Sequence, residues 1–145
     1  MNTPGTPRRY GYVGPEDIRR AVLPGAGGGG RVIRGAADLD AYVSDEGELY
    51  TYVVGLDGLP RLAPRRSEHV ACADGGDVLG AGEISLRRGP QGWEVREISN
   101  QSTGYCPDPD CWPAVAAALD RAGVGQPDRF TQGSNPRRQE PAPGR

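Results

Sequence analysis

The 145-residue sequence predicts an α+β fold, in which a curved antiparallel β-sheet (a meander) is flanked by two short N-terminal helices and one C-terminal helix. The length is close to the commonest size of a single domain. The central part alternates apolar and polar residues with the period of strands, whereas both ends carry the capping residues and apolar spacings typical of helices. The 23 Gly and 14 Pro residues indicate that turns and loops occupy much of the remainder.

The N-terminal part begins with residues 1–8, which are rich in Pro, Thr and Gly and are expected to form a disordered lead. A strand-like stretch follows from Arg9 to Val13. Pro15, with two acidic residues directly behind it, predicts the start of a helix that runs to Leu23, because proline and negative charge both favour the first turn of a helix.

The second short helix lies beyond a glycine-rich segment. Residues 25–30 include four consecutive glycines but lack the Gly-Lys-Ser/Thr ending of a phosphate-binding loop, so we interpret them as a flexible loop. A small strand at Arg31–Ile33 and a helix from Ala36 to Val43 follow.

The central part predicts five strand segments joined by tight turns. Leu49–Val54 and Leu59–Ala63 form a hairpin across an Asp-Gly turn. Residues 70–73, 78–88 and 93–99 alternate well enough to continue the sheet as antiparallel strands.

The last predicted element is a helix from Cys111 to Ala122, whose apolar residues share one face and whose end is marked by Gly123. Pro, Gln, Asn and Arg dominate after it. We therefore expect a single α+β domain over residues 9–125 and a mostly disordered tail over residues 126–145.

Composition narrows the classes of function. The formal net charge of −2 provides no general attraction to nucleic acid or to anionic membranes, so any anion site must be local. The sequence has three cysteines, an odd number, and neither a signal peptide nor an apolar run long enough for a membrane helix. We therefore expect a cytoplasmic protein with no membrane association.

The first candidate site is the segment Arg65-Arg66-Ser67-Glu68-His69. The single histidine of the chain has an ordinary pKa near ~6.5 and is suited to general acid or base chemistry. A neighbouring Glu is able to fix its tautomer while an Arg holds an anionic group. The alternative interpretation is a surface cluster of ion pairs beside a half-buried histidine.

The second candidate site is the loop from Asn100 to Pro107, which follows a strand and precedes a helix. The amide of Asn100 and the hydroxyls of Ser102, Thr103 and Tyr105 suit recognition of phosphate, ribose or amide groups. The alternative interpretation is an elaborate turn and helix cap, in which Tyr105 packs its ring.

Glu83 is a third candidate because it follows Gly82 inside a predicted strand. A glycine at such a position usually marks a bulge or the close approach of another backbone or ligand. A second acid near His69 would complete an acid/base pair. An exposed strand glutamate is the alternative.

The cysteines allow a metal site to be considered. His69, Cys72, Cys106 and Cys111 are four potential zinc ligands, although their spacing is loose and buried free cysteine is common in protein cores. Cys106 paired with His69 as a nucleophile has no specific local signature in this sequence.

The order of these motifs resembles a domain found in bacterial polymorphic-toxin-type proteins and in plant IQ-motif calmodulin-binding proteins. The usual form of that domain is His-Ser-Ser-Phe, a Gly-Gly turn, Ala-Gly-Glu, and later Asn-x-Ser-Gly-His-Tyr-x-Pro. The Arg-Arg-Ser-Glu-His-Val and Asn-Gln-Ser-Thr-Gly-Tyr-Cys-Pro segments are similar to those of a set of small, uncharacterised bacterial proteins. The resemblance implies that His69, Glu83, Ser102 and Tyr105 form one site across a curved antiparallel sheet. The second histidine of the wider family is absent here.

Together these features predict a metal-independent, enzyme-like site that acts without a cofactor on a nucleotide, an NAD-type dinucleotide or RNA, as in a toxin or effector domain. The predicted catalytic residues are His69 and Glu83. The predicted ligand-binding residues are Arg65, Arg66, Asn100, Ser102, Thr103 and Tyr105. The alternatives are a non-catalytic module that binds a ligand or a protein partner, and a zinc-stapled interaction domain.

Overall fold

The computed structural model describes residues 8–22, 30–44, 46–65, 67–127, 129 and 130. Residues 1–7 of the predicted lead over residues 1–8, most of the glycine-rich loop, Arg66 and the tail beyond residue 130 lie outside the described residues.

Four helices and five strands make up the described part of the chain. The helices are α1 (Glu16–Val22), α2 (Ala36–Tyr42), α3 (His69–Cys72) and α4 (Trp112–Arg121), and a 3-10 turn at Pro109–Cys111 leads into α4. The strands are β1 (Arg31–Val32), β2 (Leu49–Val54), β3 (Pro60–Pro64), β4 (Gly80–Gly89) and β5 (Gly92–Ile98).

The strands form one open, antiparallel sheet in the order β1-β3-β2-β4-β5. Short turns join β2 to β3 and β4 to β5, while α3 occupies the connection from β3 to β4. The α+β class with an antiparallel sheet, predicted from the sequence, is confirmed. Every helix in the described ranges is too short or too polar to span a lipid bilayer.

The main apolar core lies between one face of the sheet and the helices α2 and α4. Tyr52 and Val54 on β2 alternate with residues that face the other way, so both side chains point into this core. Their buried neighbours are Ile33, Leu39, Leu62, Ile84, Leu86, Val115, Leu119 and Val124.

The opposite face of the sheet is covered by α3, against which α1 packs. Thr51 Oγ1 donates a hydrogen bond to the Ser67 carbonyl, which places the chain leading into α3 over β2. The thiol of Cys72 donates to the Arg61 carbonyl on β3. Tyr10, fully buried, pairs through its backbone with Val78 just before β4, and its hydroxyl donates to Asp108 Oδ1 ahead of α4. The central strand is therefore buried on both faces, and polar groups over this second face are partly shielded from solvent.

One predicted strand is wrong: residues 70–73 belong to helix α3 and its end. Val70 and Cys72 are buried while Ala71 is half-buried, so the alternation itself is real, but four residues are too few to separate one helical turn from a strand. The backbone of Asp74 and Gly75 has positive φ and ends the helix with a hydrogen bond from the Gly75 N–H to the Val70 carbonyl.

The chain continues to pack beyond residue 125. Gly125 pairs with Glu94 on β5. The side-chain amide of Gln126 donates to the Ala116 carbonyl, and the ring of Phe130 lies 4.9 Å from that of Trp112. Contacts with α4 therefore extend at least to Phe130.

Candidate functional site

His69 stands at the first position of α3, directly over β4. Its Nε2 lies 2.9 Å from the carbonyl oxygen of Gly82. Because a carbonyl oxygen only accepts, Nε2 must carry a proton, and in the neutral ring Nδ1 keeps the lone pair. No described residue forms a hydrogen bond with Nδ1. Burial lowers the pKa of His69 below its usual value of 6.5, while the bond to Gly82 partly opposes that shift. The ring is therefore mainly neutral at neutral pH.

Gly82 is required where the end of β5 approaches β4. A Cβ at residue 82 would overlap the Ser99 carbonyl oxygen, and would lie 2.7 Å from the Ser99 carbonyl carbon and 2.9 Å from the Tyr52 ring. The hydroxyl of Tyr52 donates to that same oxygen at 2.8 Å. The close backbone approach predicted from this glycine is confirmed, and it fixes the carbonyl that binds His69.

Glu83 follows on β4, and its side chain lies on the α3 side of the sheet. Glu83 is the direct cross-strand partner of Thr51, and paired residues project to the same face. Its backbone exchanges hydrogen bonds with Ser99, from Ser99 N–H to the Glu83 carbonyl and from Glu83 N–H to Ser99 Oγ. The half-buried carboxylate itself has no ion pair or hydrogen bond within the described residues.

Ser85 lies two residues further along the same face. It is 0% exposed, and its hydroxyl has no hydrogen-bond partner in the part of the chain that the structure describes. The pairing of β4 with β5 shifts register between Ser85 and Leu86, so the strand is irregular at this point. A buried hydroxyl with a free hydrogen-bonding capacity therefore lies beside Glu83.

Arg65 and Ser67 lie in the segment that leads from β3 into α3. Arg65 is exposed at the end of β3 and makes no ion pair with a described residue. Ser67 is anchored by its carbonyl, which accepts from Thr51 at 3.3 Å. We refer to Arg65, His69, Glu83 and Ser85 as the His69 site; Arg66 lies outside the described residues.

The loop after β5 uses most of its polar groups internally. The amide of Asn100 donates to the Pro107 carbonyl at 2.9 Å. Ser102 Oγ accepts from the Tyr105 N–H, and the Tyr105 hydroxyl donates to the Gly76 carbonyl at 2.7 Å. Asn100, Ser102 and Tyr105 are each at most 2% exposed, whereas Thr103 is exposed. Asn100, Ser102 and Tyr105 therefore stabilise the loop through these hydrogen bonds. Ligand binding by the three residues stays a prediction.

The zinc arrangement considered from the sequence is not formed. Among the described residues, no three His, Cys, Asp or Glu side chains are grouped so that they could hold a metal ion. Cys72, Cys106 and Cys111 are buried cysteines, and the Cys106 thiol donates a hydrogen bond to the Thr103 carbonyl. Burial raises the pKa of Cys72 and that of Cys111 to about 12, so both behave as small apolar residues.

Surface grooves also lie in other parts of the described structure. Three of them have volumes of about 740, 550 and 320 Å³, and neither His69 nor Glu83 lines any of these three. The largest runs along α4 beside the turn between β2 and β3. Sequence reasoning missed this groove, although Leu56, an apolar residue in a hairpin turn, was an available signal.

No family model, curated protein or solved structure matches this chain. The motif resemblance to polymorphic-toxin-type and IQ-motif proteins therefore stays a prediction. The geometry of the His69 site is the physical basis on which a function is proposed.

Proposed function

We propose that His69 and Glu83 form a metal-independent proton-transfer site acting on a nucleotide, an NAD-type dinucleotide or RNA. The observation that carries the proposal is the hydrogen bond from His69 Nε2 to the Gly82 carbonyl. It fixes the tautomer and the ring orientation, and it leaves the Nδ1 lone pair without a partner in the described structure. A general base requires a positioned, unprotonated nitrogen of this kind.

The chemistry of the pair follows from its charges. Neutral His69 accepts a proton from a hydroxyl of the ligand or from water, and becomes an imidazolium. Glu83, whose carboxylate has no cation partner in the described residues, stabilises that imidazolium electrostatically or takes part in the proton transfer. No metal ion is needed for this step.

Support for an anionic ligand comes from Arg65. Its guanidinium is exposed and has no carboxylate partner among the described residues, although many other arginines of this acidic chain are paired. A guanidinium presents a planar pair of N–H donors that matches a phosphate. Exposed Thr103 adds a hydroxyl from the loop that follows β5.

Turnover by site variants tests the proposal. The wild type, His69→Ala and Glu83→Gln are incubated with NAD, ADP-ribose, mononucleotides and short RNA, and products are separated and identified by mass spectrometry. Glu94→Gln is the matched control, because Glu94 is also a half-buried strand glutamate but pairs with Arg87 near the opposite end of β4. All variants are first checked for a wild-type circular dichroism spectrum.

We expect product from the wild type and from Glu94→Gln, and a loss of about 10²–10⁴-fold in the two site variants, which is the usual contribution of acid/base catalysis. A folded His69→Ala or Glu83→Gln protein with the wild-type rate would rule out the proposal. So would the absence of product from the wild type with every substrate of the panel.

A non-catalytic binding module is the second candidate. It is favoured by the internal hydrogen bonds of Asn100, Ser102 and Tyr105, which leave few groups to enclose a substrate. This alternative predicts saturable binding of one ligand, weakened by Arg65→Ala, with no product at any time. Binding that is always accompanied by product would exclude it.

A further inference from the structure

We infer that the groove along α4 binds an extended peptide segment of a partner protein, which places an apolar side chain over Leu56 and opposite charges at the two ends of the helix. The groove has a volume of about 740 Å³. The residues Pro113, Ala114 and Ala117 line it on the helix side, and Leu56 and Leu79 line it on the sheet side. None of these residues belongs to the His69 site, so the inference is independent of the proposed function.

Leu56 supplies the apolar contact. It is 48% exposed and lies in the turn between β2 and β3, where small or polar residues are the usual choice. Single exposed leucines are common on protein surfaces, but this one borders a concave surface whose other wall is also apolar. An inserted apolar side chain would contact both walls at once.

The charges at the ends of the groove define the rest of the partner. Asp110 lies just before α4 and Arg121 is its last residue, and neither has an oppositely charged partner among the described residues. Arg121 Nη1 donates to the Gly58 carbonyl at 2.7 Å, which holds the guanidinium at the edge of the groove.

The other two charged groups of the groove are already neutralised. Asp57 pairs with Arg61 at 2.9 Å, and Arg8 pairs with Asp108 at 2.6 Å. Considering only the residues that the structure describes, the groove therefore offers one unpaired anion at its Asp110 end and one unpaired cation at its Arg121 end. A polyanion such as nucleic acid would meet a repulsive charge at one end, whereas a peptide of mixed charge complements both.

The spacing fixes the length of the recognised segment. Asp110 and Arg121 are eleven positions apart, across the end of the 3-10 turn and the whole of α4, which is about 16 Å at ~1.5 Å per residue. An extended chain covers that span in about five residues at ~3.3 Å each. The partner segment carries a basic residue at one end, an acidic residue about five positions away, and an apolar residue between them.

Fluorescence polarisation with four labelled eight-residue peptides tests the inference on the full chain. The first peptide has Arg and Asp five positions apart with Leu between them, and the second has the two charges exchanged. Because a peptide is able to enter the groove in either direction, each charge order is made twice, once with the Leu nearer to the Arg and once with the Leu nearer to the Asp. The protein variants are Leu56→Ser, Asp110→Arg with Arg121→Asp, and Val13→Ser.

Val13→Ser is the matched control, because Val13 is, within the described residues, the other large apolar residue that is exposed, at 42%, and it lies outside the groove. We expect saturable binding to the wild type and to Val13→Ser, and at least tenfold weaker binding to Leu56→Ser. In the protein with both Asp110→Arg and Arg121→Asp, the peptide should bind in the opposite direction. If the wild type prefers peptides with the Leu nearer to one charge, this variant should prefer those with the Leu nearer to the other charge. Thermal melting confirms that each variant is folded.

Three results would overturn the inference. In the first, no peptide of the set binds the wild type. In the second, Val13→Ser weakens binding as much as Leu56→Ser, or the charge exchange leaves the preferred peptide unchanged. In the third, sedimentation shows a dimer of the wild type that Leu56→Ser dissociates, which would make a second copy of the chain the occupant of the groove.

Discussion

Replacing Gly82 by alanine should destabilise the protein severely, because this position joins the sheet to the candidate site. The added Cβ would overlap the Ser99 carbonyl oxygen and contact the Tyr52 ring. Overpacking of this kind typically costs about 1–3 kcal/mol. Moving the strands apart would also break the hydrogen bonds from Ser99 N–H to Glu83 and from the Tyr52 hydroxyl to Ser99, each contributing about 0.5–1.5 kcal/mol.

The expected loss is therefore about 2–6 kcal/mol out of a typical total of about 5–15 kcal/mol. Urea unfolding followed by circular dichroism measures it. Gly35→Ala is the control, because a Cβ at residue 35 meets nothing within 4 Å, and its expected cost is about 1 kcal/mol or less. A loss of unfolding free energy below about 1 kcal/mol in Gly82→Ala would refute the close packing of Gly82 against Ser99. That packing fixes the position of the Gly82 carbonyl, which binds His69.

Three further predictions concern titration, the loop and the thiols. Burial lowers the pKa of His69 in the folded state. Its contribution to the free energy of unfolding is therefore fully present above about pH 6.5, the pKa in the unfolded state, and is lost as the pH falls through the folded-state pKa. The loss amounts to no more than ~1.4 kcal/mol per pH unit. His69→Gln should remove this dependence, and a constant difference between the two proteins over about pH 5–7.5 would contradict it. Tyr105→Phe loses the hydrogen bond to the Gly76 carbonyl and should cost about 1 kcal/mol in urea unfolding without changing the His69 titration. Cys72 and Cys111 should resist iodoacetamide in the native protein near ~pH 8 and react once it is unfolded, because burial raises the pKa of both thiols to about 12; rapid labelling of either in the native state would refute that burial.

Local signals were sufficient for most of the sheet. Strand β2 spans the predicted residues Leu49–Val54, and β3 begins one residue after the predicted start, because an alternating pattern bounded by an Asp-Gly turn is specific for a hairpin. The helix α3 was missed because alternation over four residues does not separate one helical turn from a strand. The pairing of Tyr10 with Val78 also could not be predicted, since the two residues are distant in sequence.

The candidate site was likewise predictable only where local sequence determines it, and not where it depends on residues distant in the chain. The position of Gly82 inside a strand predicted a bulge or a close approach by another group. In the structure, His69 Nε2 lies 2.9 Å from the Gly82 carbonyl oxygen. The burial of Tyr105, however, depends on long-range contacts, including a ring contact with Tyr12 at 5.9 Å. Polar residues in a loop before a helix serve equally well to bind a ligand or to stabilise the loop, and only the tertiary structure distinguishes the two uses.

Nitrogen-15 NMR of the single histidine tests most directly whether His69 is a positioned base. With histidine labelled and the protein near ~pH 7, we expect a neutral ring with its proton on Nε2 and an unprotonated Nδ1, whose resonance shifts when a nucleotide-type ligand is added. A proton on Nδ1, a charged ring at that pH, or an Nδ1 resonance unchanged by every ligand that binds would contradict a proton-transfer role for His69.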